Sequence, residues 1–202
     1  PRQFRAYVLR PTGIAGEYSV VFDSGLLTVP TLPPGSSGQV ETFPVTTLVS
    51  VQNNDVIGFY GRGIPFDLVG AGSDIVSLPA PVAPIQGATI TVGSQAYPLF
   101  SQLRNYSFAA NLKAPAPHYF SFPNYANSSL PVISGPVAFV GNPLKTRAYP
   151  TDSSTKILVI LPNAKLSSGV LKNFQIFNQP TSTTPRQFRA YVLRPTGIAG
   201  EY

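Results

Sequence analysis

The chain has no cysteine, methionine or tryptophan among its 202 residues, and only 11% of them are charged. The lack of cysteine excludes disulfides and thiolate metal sites. It also removes the side chains that oxidise most readily, which suits a long-lived extracellular protein. The lack of methionine indicates a processed chain, an internal fragment or a trimmed chain. We therefore expect an extracellular or cell-surface location, although the sequence shows no secretory signal pattern.

The sequence also lacks a long apolar run and a cluster of basic residues, and each absence argues against one class of protein. No apolar run approaches the roughly 20 residues that a membrane-spanning helix requires. The net charge of +6 comes from basic residues scattered singly, whereas nucleic-acid-binding proteins cluster them on one face. We therefore expect neither a membrane span nor a nucleic-acid partner. Hydrophobic residues make up 43% of the chain, which is enough for a folded core.

Proline and alternation indicate the fold class. The 22 prolines leave few stretches for a long helix, because proline removes a backbone hydrogen bond. Apolar and polar residues alternate instead, which is typical of strands. The predicted strands are QFRAYVLR, EYSVVFDSG, LLTVP, VETFPVTTLVSVQ, VIGFYG, GATITV, NYSFAANL, VAFVG, KTRAYP, TKILVILP and GVLKNFQIFNQ. Short strands separated by turns predict an all-β, antiparallel, jelly-roll-like β-sandwich.

Details of four strands can also be predicted. In QFRAYVLR, Phe4, Ala6 and Val8 should face one side of the sheet, opposite Arg5, Tyr7 and Leu9. We expect EYSVVFDSG to end in a turn over residues 23–25, and the long strand to break at Pro44. TKILVILP is the most continuously apolar stretch, so it should lie in the middle of a sheet.

The stretch VQNNDVIGFYGRGIPFD (51–67) carries a resemblance. It is similar to the penultimate-strand region of jelly-roll modules in secreted bacterial surface and appendage proteins. Asn54 stands where such modules often have glycine, in a turn that needs positive φ. The likeness covers about residues 45–112 and implies that NYSFAANL is the last strand of a module. Residues 1–112 would then form the C-terminal part of a module.

The resemblance also divides the rest of the chain. Residues 113–127 would be a Pro- and Tyr-rich connector. Residues 128–202 would form the N-terminal strands of the same module or of the next one. Within that last part, residues 185–202 repeat residues 1–18 without one substitution.

The duplicated segment, PRQFRAYVLRPTGIAGEY, has several possible origins. Pro185 stands 184 positions after Pro1, so the chain can be slightly more than one period of a tandem array. It can equally be a permuted or engineered unit, or a subunit that exchanges strands with its neighbours. A cloning or trimming artefact at a repeat boundary is the remaining explanation. One fold has one place for QFRAYVLR, so the spare copy is disordered, paired at an edge or inserted into another molecule.

Residue types that support catalysis or metal binding are sparse. The single histidine, His118, has no second histidine or cysteine to join it, and no G-x-S-x-G motif accompanies it. Asp23, Asp55 and Asp152 resemble turn acids that bond nearby backbone. The glycine-rich DLVGAGSD (67–74) has an acid at each end, which permits either a plain loop or a Ca²⁺ loop. We predict no catalytic residues, no cofactor and no metal site.

Aromatic residues crowd the proline-rich connector, at Tyr119, Phe120, Phe122 and Tyr125. Exposed aromatic rings stack on sugars and anchor protein interfaces, and they also cover a protein's own core. All three interpretations stay open for this cluster, which is a possible contact surface.

The sequence therefore predicts a non-enzymatic structural protein. It would be the subunit or repeat of an extracellular filament, appendage or adhesin stalk, with other copies of itself as partners. Assembly would be head-to-tail, by strand pairing or exchange through the duplicated segment. A carbohydrate-binding, lectin-like module with glycans as partners is the alternative. The predicted apolar anchors of the assembly interface are Phe4, Tyr7, Val8, Phe188, Tyr191 and Val192.

Overall fold

The structure is a computed structural model that describes residues 2–68, 72–113 and 137–181. The elements of these residues are all β-strands: β1 (Gln3–Pro11), β2 (Glu17–Thr28), β3 (Gln39–Pro44), β4 (Ser50–Val51), β5 (Val56–Gly61), β6 (Phe66–Leu68), β7 (Ile75–Ser77), β8 (Thr89–Thr91), β9 (Arg104–Tyr106), β10 (Phe108–Lys113), β11 (Val137–Gly141), β12 (Leu158–Lys165) and β13 (Gly169–Asn178). The part of the chain that the structure describes contains no helix long and apolar enough to span a membrane.

The strands form two main sheets. One has six strands in the order β7-β12-β5-β1-β2-β8. The other has five, in the order β11-β10-β13-β3 with β4 also on β13, and β6 and β9 form a separate ribbon. Every strand pair is antiparallel. The predicted all-β, antiparallel sandwich is therefore confirmed.

Apolar side chains cover both faces of the six-stranded sheet. The larger core joins the two main sheets, and Phe4, Phe59 and Phe174 belong to it. A second cluster lies on the opposite face, where Tyr7 and Leu9 are joined by residues of β8, β12 and the segment around Ala80. The inner strands are therefore apolar on both faces, as for a strand buried on both sides.

Several sequence predictions hold in detail. Phe4, Ala6 and Val8 lie in the larger core, and Tyr7 and Leu9 lie in the cluster on the opposite face. Residues 158–162 of the apolar stretch TKILVILP belong to β12, which lies between β7 and β5. The long strand region breaks after Pro44, where β3 ends. Asn54 has a φ of 70°, as its turn requires.

Residues 23–25 do not form the predicted turn. They lie inside β2, which runs from Glu17 to Thr28 as one strand. Its pairing with β1 shifts here, from Tyr7 opposite Asp23 to Arg5 opposite Leu26. The backbone N–H of Ala6 donates to Ser24 Oγ at 2.9 Å, and Gly25 has a φ of 71°. The turn residues therefore make a β-bulge, in which a side chain replaces a backbone acceptor.

The predicted strand KTRAYP is also wrong, because residues 142–150 form no strand. An isolated bridge joins Tyr149 to Phe66. The buried side chain of Arg147 bonds Ser107 Oγ, Asp67 and the carbonyl of Pro143. These bonds fix the segment as a loop, despite its alternating pattern.

The two predicted parts of the chain are interleaved in the sheets. From residues 137–178, β12 lies between β7 and β5, and β13 lies between β10 and β3. NYSFAANL is split at Ser107 into β9 and β10, and β10 pairs with both β11 and β13. Of the predicted connector, residues 114–127 lie outside the described residues.

Gly61 gives a test of how closely β1 and β5 approach. Its φ is 117°, and a Cβ there would lie 2.4 Å from the carbonyl oxygen of Gln3. We expect Gly61→Ala to lower the free energy of unfolding by about 3 kcal/mol, because strain and a backbone clash add. Gly25→Ala is the control, since a Cβ there meets nothing within 4 Å, and about 1 kcal/mol is expected from φ alone. Urea unfolding measures both, and equal losses would contradict the close approach.

Candidate assembly site

The first copy of the duplicated segment forms the central strand β1. It pairs with β2 from Gln3 opposite Thr28 to Pro11 opposite Tyr18. On its other side it pairs with β5, from Phe4 opposite Gly61 to Leu9 opposite Val56. We call the space between β2 and β5 that β1 fills the acceptor groove.

Aromatic rings line the inner side of the acceptor groove. Phe4 makes edge-to-face contacts with Phe43, Phe59 and Phe108, at centroid distances of 5.2, 6.5 and 6.3 Å. Such pairs add about 0.5–1.5 kcal/mol each to the gain from burial. Phe4 therefore anchors β1 to both main sheets.

Polar contacts hold the opposite face of β1. Arg5 pairs with Asp23 through Nε and Nη2, with Nε 3.0 Å from Oδ1. The Tyr7 hydroxyl donates to the carbonyl of Pro84 at 3.0 Å. Burial raises the pKa of Tyr7, and the hydrogen bond to Asp23 raises the pKa of Arg5. Tyr7 stays neutral and Arg5 charged, as these contacts require.

Two arginines hold the ends of β1. Arg10 binds Asp55 in a bidentate pair, with Nε–Oδ1 at 2.8 Å and Nη2–Oδ2 at 2.9 Å. Arg2 donates to the Gln179 carbonyl at 2.9 Å and to Asn178 Oδ1 at 2.8 Å. Bidentate arginine–carboxylate bonds fix geometry as well as adding energy. The register of β1 is therefore set at both ends.

All of these side-chain partners lie outside residues 1–18. The donors and apolar anchors are in the duplicated segment, and the residues that receive them are Asp23, Phe43, Asp55, Phe59, Pro84, Phe108, Asn178 and Gln179. Residues 185–202 repeat the segment and therefore carry the same side chains. The acceptor groove is thus complementary in chemistry to either copy.

The structure places only half of the predicted assembly residues. Phe4, Tyr7 and Val8 are 0% exposed, and their own chain buries them. Phe188, Tyr191 and Val192 lie outside the described residues. The aromatic group Tyr119, Phe120, Phe122 and Tyr125 also lies outside them, as does His118.

Sequence reasoning found Asp23 and Asp55 but missed their main role. Each accepts the expected backbone hydrogen bond, from Gly25 N and Gln52 N. Each also binds an arginine of β1, at sequence separations of 18 and 45. A signal was present in the two arginines, because Arg5 lies within the apolar run of residues 4–9, whose other members are buried, and Arg10 directly follows it. Arginine in such a strand needs a carboxylate partner.

Asp152 is not the turn acid that its neighbours suggested. It forms a buried ion pair with Arg104, and its Oδ2 accepts from the Tyr106 hydroxyl at 2.8 Å. Arg104 also lies over the rings of Phe66 and Phe100, at 4.5 and 4.9 Å. This network joins β9 to residues near β12 and stabilises one end of the sandwich.

The acids of the glycine-rich loop are bound by protein donors. Asp67 accepts from Arg147 at 2.9 Å and from Ala148 N at 2.8 Å. Asp74 accepts from Tyr106 N at 2.7 Å and from Asn142 Nδ2 at 2.9 Å. Within residues 2–68, 72–113 and 137–181, no cluster of three or more histidines and acids could hold a metal ion.

Comparison with known proteins gives no assignment. No family model, curated protein or solved structure matches this chain.

Substitution of Asp55 tests how much its ion pair contributes to the acceptor groove. Its side chain is 1% exposed, and it binds Arg10 of the copy that forms β1. We expect Asp55→Asn to lower the free energy of unfolding by about 2 kcal/mol, because a charged hydrogen-bonded pair is lost. Glu17→Gln is the control, since Glu17 accepts one exposed bond from Thr12. A similar loss in both variants, measured by urea unfolding, would contradict this role.

The pH dependence of stability tests whether Asp74 is buried and hydrogen-bonded as described. Burial raises the pKa of Asp74 to about 6, although hydrogen bonds from Tyr106 N and Asn142 act in the opposite direction. The folded state therefore binds this proton up to a higher pH than the unfolded state does. The contribution of Asp74 to the free energy of unfolding falls as pH rises from about 4 to about 6. We expect the stability of the wild type relative to Asp74→Asn to fall by about 1–3 kcal/mol over this window.

Asp67→Asn is the matched control for this measurement. Partial burial acts to raise the pKa of Asp67, but bonds from Ala148 N and Arg147 lower it below its usual value. The contribution of Asp67 to stability is lost only as pH falls below about 4. The plot of stability against pH for Asp67→Asn should therefore run parallel to that of the wild type between pH 4 and 6. Parallel curves for Asp74→Asn and the wild type would refute the assignment to Asp74.

Proposed function

We propose that the chain is a structural, non-enzymatic subunit or repeat of an extracellular filament, appendage or adhesin stalk. Successive units join head-to-tail, with the duplicated segment of one unit in the acceptor groove of the next. The complementarity between groove and segment carries this proposal. Each side-chain contact described for β1 and Arg2 has its donor or anchor inside the duplicated segment and its partner outside it.

The kind of joint also supports a structural role. An inserted central strand makes backbone hydrogen bonds on both sides, here with β2 and β5. Its side chains set the register, because a slip by one residue would bring Arg5 into the apolar core. Head-to-tail contacts that do not close on themselves produce linear assemblies.

The glycan-binding alternative depends on exposed aromatic residues of the connector. Tyr119 and Tyr125 lie outside the described residues, so this alternative stays a prediction. Tyr106, an aromatic residue that precedes the connector in β9, is 0% exposed and belongs to the protein's own core.

The proposal is tested by comparing the full chain with a chain that lacks residues 185–202. Light scattering gives the mass and negative-stain microscopy the shape, each over a range of concentrations. A matched pair of substitutions in the second copy tests the same point without shortening the chain. Val192→Asp changes the counterpart of fully buried Val8, and Ile198→Asp changes the counterpart of Ile14, which is 64% exposed.

We expect linear, concentration-dependent assemblies from the full chain and from Ile198→Asp. We expect monomers from the deletion and from Val192→Asp, because an unpaired charge in the groove costs several kcal/mol. Four monodisperse monomers of equal stability would overturn the proposal. Glycan binding that is lost in Tyr119→Ala and Tyr125→Ala would then support the alternative.

A further inference from the structure

We infer that residues 186–195 compete with residues 2–11 for the acceptor groove of their own chain. This rests on the proposed function, because it uses the same groove and the same segment. It adds an internal competitor that regulates assembly. When residues 186–195 fill the groove, residues 2–11 are released as an arm that a neighbouring groove can bind.

The end of β13 lies beside the beginning of β1. Asn178 is the last residue of β13, and its side chain is bonded to Arg2. The Gln179 carbonyl accepts from Arg2 Nη1 at 2.9 Å. The chain therefore leaves the five-stranded sheet at the end of the sandwich where β1 enters the six-stranded sheet.

The sequence after this point has the length and direction for closure. Residues 180–185 separate Gln179 from Arg186, the counterpart of Arg2. A fully extended chain covers about 3.3–3.6 Å per residue, so this stretch spans roughly 20 Å. Packed sheets are about 10 Å apart. Residue 186 can therefore reach the place of Arg2, and the segment then runs in the direction of β1.

Tethering favours the internal copy over a neighbour's copy. The two copies are identical in sequence, so both offer the groove the same side chains. A short flexible linker gives a tethered segment an effective concentration on the order of millimolar. At lower chain concentrations, the groove is therefore filled from within the chain, by one copy or the other.

Val8→Asp tests the competition, because Val8 is 0% exposed in the larger core. If residues 186–195 replace the damaged strand, Val8→Asp should remain a folded monomer. Its melting temperature should be independent of concentration and within a few degrees of the wild type. Adding Val192→Asp should remove the rescue and lower the melting temperature by about 10 °C or more. Adding Ile198→Asp instead should leave the rescue intact.

A cysteine pair shows which groove is filled, since the chain has no cysteine of its own. Gln3 and Thr28 are register partners with side chains 3.1 Å apart. Thr28→Cys with Gln187→Cys can therefore be linked only when the second copy occupies a groove. Thr28→Cys with Gln3→Cys is the positive control, and Val192→Asp added to the first pair is the negative control. Mass spectrometry and non-reducing gels read the product in the Val8→Asp background.

A disulfide within the monomer supports the inference. Disulfide-linked multimers, with a melting temperature that rises with concentration, would overturn the inference and leave the proposed function standing. If Val8→Asp is as unstable as Val8→Asp with Val192→Asp, and no link forms, the segment fills no groove. That result would overturn both the inference and the proposed function. If Val8→Asp and the double variant with Val192→Asp are both about as stable as the wild type, the inference is also overturned.

Discussion

The fold depends on one strand in the middle of the six-stranded sheet. On one side of β1 lie β5, β12 and β7, and on the other lie β2 and β8. Apart from β1, β2 pairs only with β8 among the described strands, over residues 17–19. Both apolar clusters also include residues of β1. Removal of this strand would therefore separate the sheet and open both clusters together.

The same constraint explains why the described strands leave one central place for the sequence QFRAYVLR. A central strand needs two free neighbours, and the described structure offers this at the acceptor groove. An edge strand such as β8 or β11 offers pairing on one side only. Asp23 and Asp55 make the groove selective, because each carboxylate meets an arginine at a fixed register position.

Alternation in the sequence predicted the strands but not the contacts between distant residues. Alternation predicted the two faces of QFRAYVLR, and continuous apolarity predicted the place of TKILVILP inside a sheet. Asp-Ser-Gly is turn chemistry, and only pairing with β1 makes it a bulge. The ion pairs of Arg5, Arg10 and Arg104 join residues 18, 45 and 48 positions apart. No local spacing encodes such separations, so the composition of the groove could not be derived from the sequence.

Two copies of the segment, and one acceptor groove among the described residues, also decide what can drive assembly. If the second copy binds as β1 does, exchange between chains fills the same number of grooves as closure within each chain, with the same side chains. Strand affinity alone therefore cannot favour a filament over a monomer. The balance is set by concentration, because an internal copy competes at its effective concentration and a neighbour's copy at the concentration of chains. In a tandem array the second copy would instead begin the following module and fill the groove there, and the connection between modules would replace concentration as the deciding factor.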